Sequence, residues 1–149
     1  MSKAYVDAVR LLARREHGEH ELVLKLERKA HSTQDIQDAL LECQRLGLQS
    51  DARFVESLMR ARVRQGHGPL RIRRDLEQVM IARELIDDIF LQEQDHWFLH
   101  AKAVWVKKYQ LQDEHPADHS FAAQQKQKQF LLSRGFTFDT IQMVFKEAL

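Results

Sequence analysis

RLLARREHGEHELVLKLERKAHSTQDIQDALL, residues 10–41, and RARVRQGHGPLRIRRDLEQVMIARELIDDIFL, residues 60–91, are one pattern written twice at an offset of 50 places. Arg10, Arg14, His17, Gly18 and Leu26 fall on Arg60, Arg64, His67, Gly68 and Leu76, and Glu27, Ile36, Asp38 and Leu41 fall on Glu77, Ile86, Asp88 and Leu91. Where identity is lost, apolar character is kept, as in Leu22 over Ile72 and Leu40 over Phe90. A match that follows one face of the chain is the mark of an internal structural repeat.

Within the first copy the apolar residues recur at helical spacing. Val6, Val9, Leu12 and Ala13 predict one helix, Leu22, Val23 and Leu26 a second, and Ile36, Leu40, Leu41 and Leu46 a third. Gly18 separates the first two, Ser32 or Thr33 caps the third, and Gly47 closes it. A third copy is weaker: Trp97 to Tyr109, Phe121 to Arg134 and Phe138 to Phe145 supply its helices, with Leu131 and Ile141 in the places of Leu26 and Ile36. Its first connection, Gln112 to Ser120 with Asp113, Glu114, Pro116 and Asp118, is expected to be a solvated loop inside that repeat. The fold class is therefore all-α, an elongated array of three tandem three-helix repeats at about 1–48, 51–94 and 95–149 in one domain.

Composition agrees. The 149 residues hold five Gly and two Pro, little punctuation for strands, and 44% are hydrophobic, enough for a core. A single cysteine, Cys43 amid Ala39, Leu40 and Leu41, excludes an intrachain disulfide and reads as a small buried hydrophobe in a reducing, cytoplasmic setting. No secretion signal or membrane-spanning run is expected.

The formal charge of +1 conceals a local asymmetry. Residues 53–74 contain seven arginines, Arg53, Arg60, Arg62, Arg64, Arg71, Arg73 and Arg74, and one acid, Glu56; residues 75–95 contain seven acids and only Arg83. At about 100° per residue, Phe54, Leu58 and Ala61 share a core face while Arg53, Arg60 and Arg64 lie opposite. Arg62 falls near Val55 and Met59, where it snorkels or reaches into a neighbouring repeat. Arg71 and Arg74 point away from Ile72, Leu76 and Val79. Arginine at every basic position suits bidentate contact with carboxylates or phosphates. Lys107 and Lys108 form a second cationic spot beside Trp97, Phe98, Trp105 and Tyr109, most of which are expected in the core.

Catalysis has no visible carrier. Gly66-His67-Gly68-Pro69 lacks the strand and spacing of a nucleotide loop and reads as a turn into a helix with Pro69 in its first turn. Neither His96 with His100 nor His17 with His20 has a third ligand at zinc spacing, so no metal or cofactor is expected. Asp87 with Asp88, and Asp113 with Glu114, do not converge as an acid and a base.

Leu11-Leu12-Ala13-Arg14-Arg15-Glu16-His17, Asp51-Ala52-Arg53-Phe54, Gly66-His67-Gly68-Pro69-Leu70-Arg71-Ile72 and Arg134-Gly135-Phe136 with Ile141 together resemble the RecX family along essentially the whole chain. Two departures stand out: Gly18 and Glu19 occupy places where a Ser often follows the His, and Val79-Met80 replaces a usual Lys-Gly. The resemblance implies a non-enzymatic regulator that lies in the groove of the RecA filament on single-stranded DNA and suppresses its ATPase, strand-exchange and repressor-cleavage activities. On that reading the seven arginines, with Lys107 and Lys108, face the partner. Weak contact with DNA phosphate is compatible, membrane contact is not expected, and a monomer is. Direct DNA binding through the Arg-rich middle repeat is the alternative.

Overall fold

The computed structural model describes residues 2–110 and 120–148, and among these residues every regular element is helical. In chain order they are α1 (Lys3–Arg14), α2 (Glu19–Arg28), α3 (Thr33–Arg45), α4 (Asp51–Arg64), α5 (Pro69–Gln78), α6 (Arg83–Glu93), α7 (Trp97–Trp105), a π-helical turn (Val106–Gln110), α8 (Phe121–Ser133) and α9 (Phe138–Ala148). The fold is an all-α tandem three-helix repeat. Helices α2 and α5, and the starts of α3 and α6, keep the 50-residue offset. The loop expected after Gln112 lies outside the described residues except for Ser120, whose hydroxyl caps α8 by accepting from the Ala123 amide.

By packing the chain divides into two compact units, Met1–Leu58 with Leu76–Asp87, and Met59–Asp75 with Asp88–Leu149. The division crosses all three helices of the middle repeat. In the first unit α1, α2 and α3 close on one another around Ala8, Leu22, Leu26, Ile36, Leu40 and Cys43, with Tyr5, Val9, Leu11, Leu12 and Val23 along the margin. In the second unit α7, α8 and α9 enclose Trp97, Trp105, Leu131, Phe136, Ile141 and Phe145. Trp105 is buried whole because its indole N–H donates to the buried Gln127 Oε1 at 2.7 Å.

Several positions differ from the apolar pattern. Ala13 is exposed and Leu46 is 47% exposed, and the matched pair Leu41 and Leu91 stand out at 61% and 65%, so the repeat match is wider than the buried stripe. On α4 the buried residues are Phe54, Val55 and Met59, while Leu58 and Ala61 are half-buried. Neighbouring stripes of one helix differ by a fraction of a turn, and packing chose the second.

Gly18 and Met80, at the two departures noted in the sequence, both lie at turns. Ala30, Met80 and Gly135 occupy the same place in the three repeats, just past the second helix, and all three are left-handed, with φ of 65°, 60° and 97°. Only glycine adopts that conformation without a steric cost from Cβ. Gly18, at the start of α2, brings no capping side chain, and the carboxylate of Asp51 supplies the cap by accepting from the Glu19 amide at 2.7 Å.

His17 is buried in the first unit with fixed protonation. Its Nδ1 is 3.0 Å from the Arg15 carbonyl, which can only accept, and its Nε2 is 2.9 Å from the Lys25 ammonium, which can only donate. The ring is therefore neutral with its proton on Nδ1. Burial first, and the Arg15 and Lys25 charges after it, hold its pKa below the ordinary histidine value despite the Arg15 carbonyl. His67 is lowered likewise, by burial and then by Arg71, Arg62 and Arg134.

Because Met80 is largely exposed, Met80→Gly removes strain with little loss of packing and should raise stability by about 1 kcal/mol in urea denaturation. For the two histidines, the unfolded chain takes up protons below about pH 6.5 that the folded chain refuses. Stability is fully present above that value and declines as pH falls toward the folded pKa values. The urea midpoint should drop between about pH 7.5 and about pH 5.5, and two imidazole resonances should titrate below about 6.5. A flat midpoint over this range would contradict the assignment.

Candidate partner-binding surface

Eight of the nine basic residues expected to face a partner lie in the second unit, and Arg53 alone lies in the first. Arg53 is held by its own chain: its guanidinium donates to Glu16 Oε1 at 3.1 Å and to the Gly47 carbonyl at 2.6 Å. Arg62, on the buried side of α4, donates from Nε to Asp75 Oδ2 at 3.1 Å and from an Nη to Gln65 Oε1 at 3.1 Å. A half-buried guanidinium needs such partners, and Asp75 is the acid within reach. Arg73 rests its guanidinium 5.0 Å from the centre of the Phe90 ring. Arg60, Arg64 and Arg74 are exposed and Arg71 is half-buried.

Arg71 is positioned by the backbone. The turn before α5 abuts the turn between α8 and α9, where the Gly68 amide donates to the Arg134 carbonyl at 2.7 Å and the Leu70 amide to the Gly135 carbonyl at 2.9 Å. A Cβ on Gly68 would sit 2.5 Å from the Gly135 carbonyl carbon, and one on Gly135 would sit 2.7 Å from Arg71 Cβ. Two glycines are required because two backbones touch.

Arg134 also lines a groove of about 380 Å³ formed by the end of α4, by α7 with its π-helical turn, and by the end of α8. Val63, Ala103, Val104 and Phe130 give it apolar walls, and Arg64, Lys107, Lys108 and Arg134 stand around them with no carboxylate in the lining. Lys108 Nζ lies 5.3 Å, and the Arg134 guanidinium carbon 4.9 Å, from the Phe130 ring centre. Tyr109 meets that ring edge-on at 5.8 Å, and burial pushes its phenol pKa up. Lys107 and Lys108 lie within the π-helical turn, so their directions differ from those of a continued α-helix.

Sequence reasoning thus named Arg64, Lys107 and Lys108 but missed Arg134 as part of the same groove. The available signal was its spacing of four residues from Phe130 on one helix. Chemically the groove is suited to hold an anionic group beside an apolar one. Among the described residues, no three His, Cys, Asp or Glu side chains group to hold a metal ion, and His96 and His100 both turn to Glu93, at 3.3 and 3.5 Å. No helix among them is long and apolar enough to cross a membrane.

Comparison with known proteins gives a consistent picture. The first, second and third three-helix domains described for RecX match residues 4–43, 50–88 and 99–145. The regulatory protein RecX of Legionella pneumophila (strain Corby) is 50% identical over 147 residues, covering 99% of this chain and 95% of that protein. The protein of that name from Vibrio vulnificus is 34% identical, covering 94% and 89%. The crystal structure of RecX from Lactobacillus salivarius superposes with a TM-score of 0.81 over 97% of this chain and 94% of that one, at 24% identity, a likeness of fold alone.

Among the arginines, pairing separates structural from free side chains. Arg62→Ala should cost about 1 kcal/mol of stability through the loss of its half-buried partner Asp75, whereas Arg60→Ala should stay within about 0.5 kcal/mol. Equal urea midpoints for the two variants would refute the distinction.

Proposed function

The chain belongs to the RecX family, and from that premise we propose that it is a non-catalytic regulator of the RecA recombinase. It binds the RecA filament on single-stranded DNA, in the filament's helical groove, and inhibits ATP hydrolysis, strand exchange and repressor cleavage by occupying the surface those activities need. The observation that carries the reading is 50% identity to a regulatory protein RecX along essentially the whole of both chains. The three repeats act as one domain, as a monomer in the cytoplasm, without metal or cofactor.

Binding in this reading is electrostatic in approach and specific in contact. Arg60, Arg64, Arg71 and Arg74 form the principal face, joined by Lys107 and Lys108, while Arg53, Arg62 and Arg73 already serve contacts within the chain. A guanidinium forks onto a carboxylate through two parallel hydrogen bonds, which a lysine cannot reproduce. Exposed cations contribute little to folding, so the surface can be tuned to a partner without loss of stability.

Direct DNA binding is the second reading, favoured by seven arginines against one acid in residues 53–74. Phosphate binding releases counterions and weakens steeply with salt. The two readings separate when binding to naked single-stranded DNA is compared with binding to an assembled RecA filament at one ionic strength. Preference for the filament is expected.

A variant with Arg60, Arg64, Arg71 and Arg74 all changed to Ala should keep its helical signal and melting temperature and lose inhibition of the RecA ATPase on single-stranded DNA. Each desolvated contact removed should cost about 2 kcal/mol or more at the interface. Full inhibition by this folded variant at the wild-type concentration would move the interface elsewhere.

A further inference from the structure

We propose that the groove bounded by Arg64, Lys107, Lys108 and Arg134 receives a segment of the protein partner in which acidic side chains alternate with apolar ones. Charge complementarity carries the argument: four cations surround apolar walls and no carboxylate lines them. Cations around an apolar pocket favour an anion that brings an apolar neighbour with it. A lone phosphate would leave Val63, Val104 and Ala103 facing water, and a neutral apolar segment would leave the cations without partners.

The aromatic ring decides between a peptide and a nucleic acid. Single-stranded nucleic acids are held by bases stacked on aromatic faces together with a cationic track for the backbone. Here Lys108 and Arg134 already lie over Phe130, and Tyr109 takes its edge, so a base would compete with two cations for the ring. The same cation–π contacts, each worth a fraction of a hydrogen bond in the open, hold Lys108 and Arg134 in place before a ligand arrives. Preorganised donors lose less conformational freedom on binding. Arg134 is fixed further by its carbonyl, which accepts from Gly68.

The geometry also assigns roles around the groove. Arg64, Lys107 and Lys108 are exposed and Arg134 is half-buried, and of the four Lys108 and Arg134 rest on Phe130. Ala103 is an exposed position on α7 inside the lining, where a longer acidic side chain would compete with the ligand. This inference rests on the regulatory reading only for the identity of the partner; the ligand chemistry stands on the groove.

The probe is a fluorescein-labelled peptide of alternating glutamate and leucine, read by anisotropy beside a glutamine version of equal length and a labelled oligothymidine. The full-length protein should bind the glutamate peptide in preference to both. The double variant Arg64→Ala with Lys107→Ala, and separately Ala103→Glu, should weaken that binding about tenfold or more with circular dichroism unchanged. The double variant Lys3→Ala with Arg28→Ala removes the same charge from exposed positions of the first unit and should bind within about twofold of wild type. Equal binding of the glutamine peptide, undiminished binding by the groove variants, or tighter binding of oligothymidine lost in those variants would each overturn the proposal. Inhibition of the RecA ATPase is measured on the same samples. Peptide binding without inhibition by wild type would sink the regulatory reading and leave the groove assignment standing, and inhibition without peptide binding would do the reverse.

Discussion

Where α5 begins, the amides of Gly68 and Leu70 are satisfied by the carbonyls of Arg134 and Gly135 at the end of α8. A helix start leaves unpaired donors and a helix end leaves unpaired acceptors, and here each supplies what the other lacks. The opposed partial charges of the two ends add to the attraction. Such a junction needs backbone within hydrogen-bond distance of backbone, so neither Gly68 nor Gly135 has room for a side chain. Part of the candidate surface lies at this junction: Arg71 follows Gly68 by less than one turn, the Arg134 carbonyl is one of its acceptors, and the end of α4 leads into the same turn. The first repeat uses a related solution at Gly18, whose missing Cβ makes room for Phe54 and Ile81 at 3.3 and 3.5 Å. Packing between successive repeats therefore recurs at the start of the second helix, once through side chains and once through backbone.

A nearly neutral chain becomes locally cationic because its charges are unequally consumed. The acid Asp75 neutralises Arg62, Glu16 engages Arg53, and Glu21 takes Arg15 through two hydrogen bonds of 3.0 and 2.6 Å. The cations remaining around the groove are Arg64, Lys107, Lys108 and Arg134, drawn from three elements distant in sequence. Long cationic side chains in water are costly to order, and Phe130 reduces that cost by offering its ring to two of them. A local excess of positive charge is produced by pairing some cations and presenting others, a subtraction that composition cannot reveal.

The three repeats share one plan and differ at their turns. Among the described residues the turn past the second helix is the feature that can be compared in all three repeats. Left-handed residues recur past the second helix as Ala30, Met80 and Gly135, yet only the last has become glycine, at the position where a neighbouring backbone approaches. Ala30 and Met80 carry the steric cost of that conformation at exposed positions. Membership of the RecX family fits this plan, since the three-helix domains described for that family match the three repeats in order.

The chain by itself determined the helices, their repeat and their family. Periodicity at 3.6 residues and an offset of 50 places are local properties, and local properties are legible in order along the chain. It also placed Ser32 as a cap, Gly47 as a helix stop, Pro69 at a helix start and Cys43 in a core, because each reflects the residue's own chemistry. Tertiary structure alone decided which of two adjacent stripes of α4 was buried, that Arg62 would meet Asp75, that Asp51 would cap α2 across 32 residues, and that Arg134 would join Arg64 and the lysines. Each of these depends on the approach of elements far apart in sequence. The closest approach is set by the glycines that permit it, and a pattern of hydrophobicity carries no record of which surfaces meet.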